Sequence, residues 1–183
     1  PSPKVLKAIN RAEILKLNLY SDPACAALTE AIARRYELKP ENVLAGNGSD
    51  EVLAFAFRAF CGAGRPVAYA AITYGFYVDF GAESCVPMIY RYDNLLVTQT
   101  MSKSRSLAGG RVGYALGSPD LIADLNRVKY SFHPYNVNRL SMAAGAAAVA
   151  DEAYFAACTA AIRQTRAWTV GELENLGFTV LPS

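Results

Sequence analysis

The chain has 183 residues, 52% hydrophobic and 19% charged, a composition that suits one ordinary domain or two small ones. A formal net charge of +2, with the basic residues scattered, excludes a strong pull toward nucleic acid or a membrane surface. The single histidine, His133, excludes zinc sites built on several histidines, and it sits in Phe-His-Pro-Tyr with no nucleophile elbow nearby.

In chain order, Ser2 caps a short helix over residues 3–10, with Pro3 at its first position. Residues 17–23 form a loop. Leu28, Ile32 and Tyr36 recur at helical spacing and predict a helix over 24–36. A turn around Pro40 precedes a short strand at 43–45, broken by Gly46-Asn47-Gly48. A helix follows from Ser49 or Asp50 to about Phe60. Residues 66–70 read as a strand, 73–75 as a turn and Phe76 as the start of a helix. Further strands are expected at 84–89 and 95–98, a Ser/Gly loop at 102–110, and a strand at 111–116. Helices are expected at 120–128, 141–150 and 152–176, and a last strand begins at 177–181. Strands alternating with helices predict an α/β fold with a mostly parallel sheet. The Ala-rich stretch after Met142 reads as a helix leading into a second domain. This divides the chain into an N-terminal arm (1–22), a large domain (23–140) and the start of a small C-terminal one (141–183).

None of the cysteines, Cys25, Cys61, Cys85 and Cys158, falls in a C-x-x-C pair, which argues against zinc knuckles and thioredoxin-type motifs and leaves no metal site to expect. Three lie in apolar sequence and read as buried thiols of a reducing compartment, so a cytoplasmic location is expected. No stretch is apolar enough to span a membrane, and the first residues lack a signal-peptide apolar region. The missing initiator Met suggests a piece of a longer product.

Two segments carry chemistry. Thr100-Met101-Ser102-Lys103-Ser104-Arg105-Ser106-Leu107-Ala108-Gly109-Gly110-Arg111 follows the strand at 95–98. A lysine leaving a buried strand into such a loop can sit at the floor of a site. There desolvation lowers its pKa and suits it to Schiff-base formation. Ser102 and Arg111 supply a hydroxyl and a guanidinium, natural partners of an anion. Taken alone, the same residues also read as an exposed loop. In Gly46-Asn47-Gly48-Ser49-Asp50-Glu51 a strand ends and a helix begins. Its unpaired N–H groups and dipole favour a phosphate, although the same letters also spell a plain helix cap.

The first segment resembles the lysine signature of class II aminotransferases, T-x-S-K-S-x-S-x-A-G-x-R. The second resembles the G-N-G-S-D-E stretch of the histidinol-phosphate aminotransferase family. Residues 1–9, N-L-Y-S-D-P at 18–23, T-Y-G-F-Y at 73–77 and G-Y-A-L-G at 113–117 follow that family's order. The resemblance implies a three-layer, fold type I pyridoxal-phosphate (PLP) transferase large domain plus part of a small α/β domain. It implies a homodimeric aminotransferase of histidine biosynthesis acting on a small-molecule amino donor and a 2-oxo acid. It makes Lys103 the Schiff-base and proton-transfer lysine. Ser49, Asp50, Ser102 and Arg111 become the phosphate cup, and Tyr74 the aromatic stacked on the ring. Tyr20 becomes the residue that reaches the partner subunit's PLP phosphate. Ordinary core packing is the other reading of both tyrosines.

The chain departs from the family pattern in its middle. The family's N-P-N-N-P-T-G and D-x-A-Y motifs, which hold the cofactor's O3′ and pyridine nitrogen, have no counterpart between residues 89 and 95. The C-terminal substrate-binding arginine is not reached either. Asp151-Glu152-Ala153-Tyr154 spells D-E-A-Y, but it follows Lys103 within Ala-rich helical sequence and reads as a solvated helix start. The expectation is that ordered pieces of a longer chain meet near residues 89–92. A related PLP enzyme (an aromatic aminotransferase or phosphothreonine decarboxylase) and a shortened, non-catalytic binding module are the alternatives.

Overall fold

The computed structural model describes residues 1–62 and 85–181. Most helices start on a local signal. Ser2 accepts from the Val5 amide to cap α1 (Pro3–Ala8), and Asn10 caps a further single turn, α2 (Arg11–Ile14). In α3 (Ala26–Arg35), Leu28 and Ile32 are fully buried, as their four-residue step predicts. A 3₁₀ turn at Pro40–Asn42 feeds β1 (Val43–Gly46), and α4 (Ser49–Phe60) follows. The second half runs β2 (Val97–Thr100), β3 (Gly113–Leu116), α5 (Pro119–Phe132), α6 (Arg139–Val149) and α7 (Glu152–Asn175). Ser118 and Asn138 cap α5 and α6 through their side chains.

Strand periodicity builds three layers. Val43, Ala45, Tyr114 and Leu116 point to one face and pack with Leu28, Ile32, Met142 and Ala148 of α3 and α6. Leu44 and Ala115 point to the other face, against Val52 and Phe55 of α4 and Ile122 and Leu125 of α5. Burying each of these large side chains stabilises the fold by about 1.5–3 kcal/mol.

Several expectations change. The sheet was expected to be mostly parallel. Among the described residues its order is β1-β3-β2 and both pairings are antiparallel, so β1 and β2 run alike on either side of a reversed β3. The short return from Thr100 to Gly113 holds no crossover helix, and without one the chain reverses. In place of a strand at 84–89, residues Val86–Tyr90 form a 3₁₀ helix, because Pro87 fixes its own φ and cannot donate to a ladder. The Tyr92 amide donates to the Met88 carbonyl at 3.0 Å, so residues 88–92 form a turn. Residues 177–181 form no strand. Gly177, at φ 88°, ends α7, and the Phe178 amide returns to the Leu173 carbonyl. α6 starts before residue 141, and its Met142, Ala144, Ala148 and Val149 share a core cluster with α3 and the sheet. The cysteines are free, but only Cys25 is buried. The elements expected at 66–70, 73–75 and from Phe76 lie outside the described residues.

The Cys25 thiol is pushed up from its ordinary value mainly by burial, against the opposing charge of Lys129, whose Nζ lies 3.8 Å from Sγ. Burial also raises the Tyr114 hydroxyl, which shares a 2.8 Å hydrogen bond with Tyr36. Both groups hold their protons more tightly when folded. Their contribution is therefore complete below their unfolded values and fades as pH climbs through them. We expect the thermal midpoint to fall from about pH 8.5 upward. Cys25→Ala should make that fall shallower in melts recorded across the alkaline range, and an equally steep fall would rule the thiol out.

Candidate active site

The register fixes where the candidate residues meet. Gly46, Gly113 and Thr100 stand side by side across the sheet. This single edge is therefore the exit of β1, the entry of β3 and the exit of β2. Ser49 and Asp50 follow the first, Arg111 precedes the second, and Ser102 and Lys103 follow the third.

The cup is closed by backbone approach. Gly48 is the N-cap of α4 at φ 86°, and the helix opens without a side-chain cap, unlike α1, α5 and α6. A Cβ on Gly48 would meet Arg111 Nη2 at 2.7 Å, and one on Gly113 would stand 2.2 Å from the Ser49 amide nitrogen. The Arg111 backbone is left-handed, at φ 48°, and its Nη2 lies 3.9 Å from Asp50 Oδ2. An uncapped helix start under a guanidinium is an arrangement whose chemistry suits an anion. Among the described residues the carboxylate paired with the guanidinium is that of Asp50, whose side chain is 82% exposed.

Met101 and Leu107 staple the lysine loop at its base: the Met101 amide donates to Val112, and the Leu107 amide donates to Met101. Arg105 holds it from the side. Its Nη1 donates to the Ala148 carbonyl at 2.7 Å and its guanidinium lies over the Phe155 ring. Sequence reasoning assigns Arg105 no role. Its signal was only that a long cation stands within a small-residue loop.

Lys103 itself is exposed, so the buried, desolvated floor expected from the sequence is a correction. The physical reason is that β2 is the outer strand of the described sheet and is only half-buried, so the loop after it leaves on an open side. Ser102 is half-buried, and its amide donates to the Thr100 hydroxyl. Tyr20 is 82% exposed and stacks on Tyr135 with ring centroids 4.7 Å apart, away from any core. Tyr74 lies outside the described residues. Asp151 does start a helix, as expected, but it is buried. Burial alone would raise its carboxyl; the Ser2 hydroxyl and Lys4, whose Nζ lies 3.2 Å away, hold it below the ordinary value. It ties the N-terminal arm to α7 and has no part in the cup.

Among the described residues no group of His, Cys, Asp and Glu is arranged to hold a metal ion, and no helix is long and apolar enough to cross a membrane. For Gly113→Ala we expect a loss of at least about 2 kcal/mol in urea unfolding, because the added methyl meets backbone that cannot yield. Gly109→Ala, with nothing within 4 Å of its Cβ, should stay within about 0.5 kcal/mol of the parent.

The aminotransferase class I and II family pattern matches this chain in two overlapping pieces, residues 1–92 and 76–183. A histidinol-phosphate aminotransferase of Clostridium botulinum (strain 657) is 38% identical over 253 aligned residues, covering all of this chain and 72% of the relative. One from Chromohalobacter salexigens is also 38% identical with the same coverage. The aligned length exceeds the 183 residues here, so the relatives carry internal sequence that this chain lacks. Among solved structures, the Sinorhizobium meliloti histidinol-phosphate aminotransferase in complex with pyridoxal-5'-phosphate superposes with a TM-score of 0.76 at 20% identity, covering 100% of this chain and 70% of that one. The Clostridium acetobutylicum enzyme gives 0.78 at 18% identity, covering 96% and 74%. These two likenesses establish the fold type I architecture, and with the matched sequence they show that the chain belongs to the aminotransferase class I and II family.

Proposed function

We propose that the chain is a histidinol-phosphate aminotransferase, passing the amino group of L-histidinol phosphate to 2-oxoglutarate in the cytoplasm, as part of a homodimer. The observation that carries this reading is the cup, where α4 starts uncapped beneath Arg111. Its bare glycine backbone and single guanidinium fit the phosphate end of PLP. The Gly48 and Gly113 positions leave room there that any side chain would take.

When bound, PLP supplies the aldehyde that takes up the donor's amino group and the ring that accepts electrons from its α-carbon. The chain's own residues do the rest. Backbone amides at Ser49 and Asp50, with Ser102 and Arg111, hold the phosphate and fix the ring's reach. Lys103 is the amine that would hold the cofactor through its aldehyde and that would carry the proton from the substrate's α-carbon. The contacts of Met101, Leu107 and Arg105 restrain the loop that carries that amine, which begins at the strand ends beside the cup. By the family resemblance Tyr20, exposed on the arm, would serve a partner subunit, and Tyr74 would be the residue that stacks on the ring.

The test is direct. With PLP added, the purified chain should develop the visible absorbance of a Schiff base and form glutamate from the two substrates. Lys103→Ala should abolish both, and Arg111→Ala should weaken PLP uptake by at least about tenfold, the loss of a charge-assisted hydrogen bond. Aromatic amino acids and phosphothreonine should turn over more slowly than histidinol phosphate; the reverse order would reassign the substrate. Uptake of PLP without any turnover would favour a shortened binding module.

A further inference from the structure

The cup has a second layer. Glu51 stands in the first turn of α4, beside the proposed phosphate position, where a carboxylate would repel the ligand. It is turned the other way. Its Oε2 accepts from the Asn47 amide at 2.7 Å and from Asn136 Nδ2 at 2.5 Å. Its Oε1 lies 3.4 Å from His133 Nδ1, and its side chain is only 18% exposed. Asn136 is 2% exposed and its Nδ2 also reaches the Ala45 carbonyl of β1 at 3.4 Å, while its Oδ1 has no partner. Among the described residues the Asn136 amide is thus held from its donor side alone; one Glu51 oxygen joins the Asn47-Gly48 turn to the link between α5 and α6, and Asn136 itself reaches the end of β1.

We propose that Glu51 is a positioning residue for phosphate binding. It pins the Asn47 amide, and so sets the Gly48–Ser49 backbone that forms the cup, with Asn136 as its outer tether. The inference rests on the proposed PLP function and names how the cup is held open. Beyond Gly113's approach to the Gly48–Ser49 peptide, the turn is held by the Gly48 amide bonding back to the Gly46 carbonyl at 3.0 Å, and Asn47, which is exposed, is fixed through its amide by Glu51. Both hydrogen bonds fall on the same Glu51 oxygen. Glutamine can keep both through its amide oxygen, so hydrogen bonding and not charge carries the effect.

The experiment compares PLP with pyridoxal, which forms the same Schiff base but has no phosphate, by absorbance titration of the full chain. The wild type should prefer PLP. Glu51→Ala should lower PLP affinity by about tenfold and leave pyridoxal affinity unchanged. E51Q should restore PLP affinity to within about threefold of wild type, and Asn136→Ala should weaken PLP selectively and by less than E51A. A merely structural role would weaken both ligands together. If E51A fails to fold, E51Q and N136A still decide: an unchanged PLP-to-pyridoxal ratio in N136A, or an E51Q chain as poor as a chain without the cup, overturns the proposal. If the wild type prefers PLP and E51A keeps that preference, only the role of Glu51 falls. If the wild type shows no preference, the cup and its support fall together.

Discussion

The close approach of Gly113 to the Gly48–Ser49 peptide governs the rest of this molecule. A side chain at 113 would collide with backbone, and backbone cannot rotate away as a rotamer can. With hydrogen there, the start of α4 lies directly on the entry of β3, and Arg111, two residues earlier, arrives over Gly48. The same register sets Thr100 beside Gly113, so the lysine loop begins at the same edge. One missing methyl group therefore decides where three chain segments converge.

Much of this was legible in the sequence because it depends on local rules. Ser2 announces its helix by the hydrogen bond its side chain makes to a free amide. The alternation of Val43, Leu44 and Ala45 announces a strand covered on both faces. The lysine and glycine motifs are likewise short and contiguous, and their meeting required only that two strands end on one edge.

What was not legible depends on distant partners. The burial of Asp151 needs Lys4 from the other end of the chain. Arg105 finds its carbonyl on α6, and Asn136 finds its carboxylate on α4, across separations that no window of sequence displays. The direction of the β2–β3 pairing is set by a short return, which the alternation of strands and helices along the chain does not reveal. Lys103 is exposed for a related reason. Whether a strand is central or outermost is a property of its neighbours, and nothing within 95–100 encodes it.

The long last helix has a practical consequence. α7 buries only Thr159, and the chain's sole tryptophan, Trp168, projects from it at 66% exposure. Its indole already emits from a watery setting in the native molecule. Intrinsic fluorescence will therefore change little when the three-layered body melts, and a spectroscopist who follows that signal alone will be watching a protruding rod instead of the packed interior.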